Sequence, residues 1–105
     1  MALEIQNRQT PNSPRNEKGL REVDQGRQIA AGHGGKVTCT PFGGSRYLVT
    51  ISLFGAAEDD PRLRAMLYAI EFAIRGQFDR GRSFPGMKQF AARSRFIDVV
   101  VRCVH

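Results

Sequence analysis

Tryptophan is absent from this chain of 105 residues, and cysteine, histidine and tyrosine occur only twice each. Cys39 and Cys103 are too few and too far apart for a disulfide scaffold or a zinc site. Both lie in apolar, strand-like stretches and read as buried, reduced thiols, which suits a cytoplasmic or nuclear protein rather than a secreted one. His33 and His105 have no carboxylate at ligand spacing and the chain has no cluster of cysteine and histidine, so neither a metal centre nor a cofactor is expected. No serine or cysteine comes with a base and a third orienting group in view, so the chain is not expected to be an enzyme. No tract approaches the roughly 18 apolar residues of a membrane-spanning helix. Residues 1–10 carry Glu4 and Arg8 and lack the apolar block of a secretion signal. Lys36 follows two glycines, but Val37 stands where a phosphate loop needs Ser or Thr, and Ala30 where it needs Gly.

Lysine is scarce as well. Of 16 basic residues only Lys18, Lys36 and Lys88 are lysine and the other 13 are arginine, against 10 acids, for a net charge of +6. Guanidinium is planar, stays charged and grips phosphate through two parallel hydrogen bonds, so this bias suits a polyanionic partner.

Residues 1–35 read as a flexible polar arm. Pro11 and Pro14 interrupt it, and between Gln6 and Gly35 its only branched apolar residues are Leu20, Val23 and Ile29. That density is too low to offset the entropy of ordering. Its five basic and four acidic residues nearly cancel, so it is not a simple basic tail. A compact α/β core is expected over 36–105. Val37 and Cys39 alternate with Lys36, Thr38 and Thr40, and Tyr47, Val49, Ile51 and Leu53 alternate with Leu48, Thr50 and Ser52, on either side of Gly43-Gly44-Ser45, which predicts a hairpin of strands at 36–42 and 46–54. Asp60 before Pro61 marks a helix start, and Leu63, Met66, Leu67, Ile70 and Ile74 recur at helical spacing, with Glu71 and Arg75 one turn apart. Residues 76–86 read as a loop, 87–92 as a short helical turn and 93–104 as a final strand. The expected fold is α+β: a largely antiparallel three-stranded sheet in the order β-β-α-β with one main helix packed on it.

The segment 75–95 is the best candidate site. It holds Arg75, Arg80, Arg82, Lys88, Arg93 and Arg95 against one acid, Asp79, with Phe78, Phe84 and Phe90 interleaved. Cations hold phosphates, and aromatic rings stack on unpaired bases. Tyr68 and Phe72 form a second apolar stripe on the helix, wider than one small sheet needs, and mark a homodimer or partner interface. The sequence therefore points to a non-enzymatic, homodimeric binder of RNA or single-stranded DNA, working mainly through phosphate contacts, with no membrane partner. Short, arginine-rich chains of this kind are common among small viral structural and accessory proteins, an analogy of composition rather than of motif. The alternative is a protein-interaction module or inhibitor acting through the apolar helix face or a sheet edge.

Overall fold

The computed structural model describes residues 13–44, 46–57 and 59–105. In chain order the elements are helix α1 (Ser13–Gly32), strands β1 (Lys36–Pro41) and β2 (Tyr47–Phe54), helix α2 (Pro61–Ile74), and strands β3 (Arg82–Phe84), β4 (Met87–Arg93) and β5 (Ile97–Val104). The five strands form one sheet in the order β1-β2-β5-β4-β3. Three neighbouring pairs are antiparallel, while β2 and β5 run parallel at the centre, with Val49 beside Val99 and Ile51 beside Val101.

Both helices lie on one face of this sheet. Alternation along the two central strands turns Val49, Ile51 and Leu53 of β2, and Ile97, Val99, Val101 and Cys103 of β5, toward them. Leu63, Met66, Ile70 and Ile74 of α2 complete the same core. The start of α2 is the expected one: the Asp60 carboxylate accepts from the Arg62 amide at 2.9 Å and Pro61 occupies the first turn. The hairpin of β1 and β2 is also as expected, in an antiparallel register running from Lys36 opposite Ser52 to Pro41 opposite Tyr47.

Four expectations are corrected. The sheet has five strands rather than three, and there are two helices rather than one. The polar segment read as an arm is, over Ser13–Gly32, a helix packed against β1, β2, β5 and α2. Its buried stripe is Gly19, Val23, Gly26 and Ala30. Val23 and Ala30 pack into the core with the half-buried Ile29 beside them, and this tertiary packing offsets the weak helix propensity of the glycines. Residues 87–92 form a strand, not a helical turn, because β4 is paired along its length with β5 and at one end with β3. Glu71 does not pair with Arg75: its carboxylate accepts from the Phe78 amide at 2.7 Å and pins the chain leaving α2. The rest of the expected arm, residues 1–12, with Pro11, lies outside the described residues, as do Ser45 and Glu58.

Candidate nucleic-acid interface

With both helices on one side, no described element covers the other face of the sheet. The strand register puts its residues into rows running across the strands. One row reads Lys36 (β1), Ser52 (β2), Arg102 (β5), Gln89 (β4), Arg82 (β3). Lys36, Arg102 and Arg82 are all exposed, and none is bonded to a carboxylate among the described residues. Arg102 makes only a weak contact, from Nε to the Met87 sulfur at 3.5 Å. At the strand spacing of about 4.8 Å the row is roughly 19 Å long. The row beside it is apolar: Phe54, Val104, Met87 and Phe84. Its outer members are aromatic rings, Phe54 65% and Phe84 42% exposed. On the other side of the cationic row lie Thr38, Thr50, Val100 and Ala91.

The far end of the same face is structural. Asp98 accepts from Arg46 Nε at 3.0 Å and pairs with Arg93 at 3.3 Å, so one carboxylate is shared between the two guanidinium groups. Arg46 also donates to the carbonyls of Ser94, Arg95 and Ile97, and so fastens the hairpin bend between β4 and β5. Beside this cluster a shallow depression of about 470 Å³ is lined by Phe42, Leu48, Ala91 and Val100.

The residues singled out in the sequence fall on four surfaces. Arg82, Phe84 and Arg93 lie on the open face, Arg93 in its ion pair. Lys88 points the opposite way, because it lies one position from Gln89 on β4, and its Nζ stands 5.7 Å from the centre of the Phe90 ring. With Arg80 it lines a cleft between α2 and β4 of about 450 Å³, where Asp59, Glu71 and Asp79 balance Arg64, Arg80 and Lys88 in charge. Two of those acids hold the loop: Glu71 as above, and Asp79, whose Oδ1 accepts from the Gly81 and Ala91 amides. Gly81 itself has φ +86°, and a Cβ there would sit 2.7 Å from the Phe90 ring, so the loop closes down on β4 only because this residue is glycine. Phe78 is half-buried against the core and bridges to Ala92. Arg75 and Arg95 lie on a third surface, between the two helices near Phe96. Tyr68 and Phe72 project from the outer face of α2, 63% and 88% exposed.

Sequence reasoning missed Lys36, Arg102 and Phe54, which come from three different strands. Their signal was their outward place in the alternation of 36–42, 93–104 and 46–54. Among the described residues no group of histidine, cysteine and carboxylate side chains could hold a metal ion, and no helix is long and apolar enough to cross a membrane. The chain matches no model of a known protein family, no curated protein and no solved structure.

Proposed function

We propose that the protein binds single-stranded nucleic acid across the open face of its sheet. The observation that carries this reading is the row of Lys36, Arg102 and Arg82, spaced two strands apart, without a carboxylate in it and beside two exposed phenylalanine rings. Each cation can neutralise one phosphate and release its counterion. Ser52 and Gln89 between them offer hydrogen bonds to sugar or base edges, and Phe54 and Phe84 offer stacking surfaces that only unpaired bases reach. The result is affinity dominated by phosphate, with little reading of sequence. Fluorescence anisotropy with labelled single-stranded and duplex oligonucleotides, over a series of salt concentrations, tests it. Binding that prefers single strands and falls steeply with salt is the expected result. An absence of binding at low salt would leave the face to a different partner.

A second reading concerns α2. An aromatic side chain as exposed as Phe72, one turn from Tyr68, favours a protein partner on the outer face of this helix, in the simplest case a second copy of the chain. A mass measurement in solution, repeated with Tyr68→Ala and Phe72→Ala, decides it: a dimer that the substitutions dissociate supports the reading, and a monomeric parent protein refutes self-association.

A further inference from the structure

We infer that the groove between α1, the C-terminal end of α2 and the β4–β5 bend is a second anion site, built for a phosphate monoester. It has a volume of about 690 Å³, within the range of small-molecule sites, and four cations line it: Lys18 and Arg21 from α1, Arg75 from the end of α2 and Arg95 from the bend. None of the four is ion-paired to a carboxylate among the described residues. The one acid in the lining, Glu22, is turned to structural use: its Oε1 accepts from the Ser94 hydroxyl at 2.7 Å, and Ser94 Oγ in turn accepts from the amides of Phe96 and Ile97. The Glu22 carboxylate thus ties α1 to the bend.

Two further features point to a ligand. Lys18 Nζ and the Arg95 guanidinium both stand over the Phe96 ring, at 5.7 and 5.9 Å from its centre. The same ring holds both cations at the groove, and an anion bound there would be attracted by each. Arg75 is also the only non-glycine residue with positive φ among the described residues (φ 56°), in the left-handed conformation that caps α2. Glycine or asparagine is the usual residue there, because a side chain makes this conformation unfavourable. Such outliers persist where the side chain has a use. Here the use is a third guanidinium in the groove beside Arg21 and Arg95. Three planar forks and one ammonium suit the oxygens of a phosphate monoester, which carries close to two charges at neutral pH. The site lies on the helix side of the sheet, apart from the row of Lys36, Arg102 and Arg82, and does not depend on that row.

The test is an amide NMR titration of the full chain with inorganic phosphate, adenosine monophosphate, unphosphorylated adenosine, and one oligonucleotide with and without a 5′-phosphate. Saturable shifts at 18–25, 75–76 and 94–96 are expected with phosphate and the monophosphate, and none with adenosine. A response to the monophosphate assigns the site to free nucleotides. A response confined to the 5′-phosphorylated strand assigns it to strand ends. Arg75→Gly separates ligand binding from folding. It is expected to weaken phosphate binding about tenfold or more, the loss of a charge-assisted contact, while leaving the melting temperature unchanged or higher, because glycine accepts the left-handed cap. Arg82→Ala with Arg102→Ala leaves this site intact, so it can stand if the sheet face fails, and the reverse. Non-saturating shifts spread over every cationic surface, or full affinity in folded Arg75→Gly, would overturn the proposal.

Discussion

Replacing Arg82 and Arg102 together by alanine removes two of the three unneutralised cations in the cross-strand row and leaves Lys36 at its far end. Both side chains are exposed and make no ion pair among the described residues, so the fold should survive their loss. For single strands each phosphate contact contributes about 0.7 to the slope of log affinity against log salt, so the double variant should lose about 1.4 of that slope. The same relation makes it about 25-fold weaker at 0.1 M salt, with the gap closing toward 1 M. Anisotropy titrations at four or five salt concentrations, on both proteins and on more than one oligonucleotide sequence, measure the slope directly. The loss should be alike for all sequences, because phosphate contacts carry none. Arg64→Ala with Arg80→Ala is the matched control: it removes the same charge from the cleft on the helix side and should leave the slope almost unchanged. An unaltered slope in a folded Arg82/Arg102 variant, or an equal loss in the control, would refute the assignment to the open face.

Three other outcomes follow from the fold. Ile51→Ala, at a fully buried position in the central strand β2, should cost about 2–5 kcal/mol, read as a lower urea midpoint with little change in the denaturant slope. The Asp60 carboxyl titrates below its ordinary value, chiefly through its hydrogen bonds with the Arg62 side chain and amide. A group whose folded pKa is depressed contributes stability above its unfolded pKa and loses it as pH falls through the folded one. The difference in melting temperature between the parent protein and Asp60→Ala should therefore shrink through the acid range below the ordinary Asp value, and a constant difference would contradict the assignment. The Cys39 thiol is pushed up by burial, with the Arg27 charge partly opposing. Iodoacetamide should label it more slowly than a free thiol at neutral pH, with the rate rising only above the ordinary thiol range, and Arg27→Ala should slow it further. Labelling at the free-thiol rate would count against a protected position.

How much of this was legible depended on what each element buries. Strand β2 and helix α2 announce themselves because their buried positions are large and branched: Val49, Ile51 and Leu53 at period two, and Leu63, Met66, Ile70 and Ile74 at helical period. Helix α1 is buried through Gly19, Val23, Gly26 and Ala30, and a search for branched side chains sees only one of the four. Strand β4 turns Lys88, Phe90 and Ala92 to the helix side, and two apolar positions are too short a pattern to betray a strand. The parallel join of β2 to β5 links residues about fifty positions apart, which no local pattern encodes. The site shows the same limit. The basic segment 75–95 was visible as a run of charge, but strand alternation sends Arg82 and Lys88 to opposite sides, and Arg75 and Arg95 leave for the groove by the helices. The cationic row is instead collected from β1, β5 and β3, and only the register reveals that its members line up.

The position of β5 has a consequence for how the molecule is made. It comes after every other strand in the chain, yet it lies between β2 and β4 and supplies four buried side chains. Until it arrives, the sheet is two separate hairpins, β1 with β2 and β3 with β4, each with a bare inner edge and too few strands to hold together in water. A ribosome therefore exposes both halves before it delivers the strand that joins them. A chain stopped short of Ile97 would be left with two sticky fragments rather than a smaller version of the same fold.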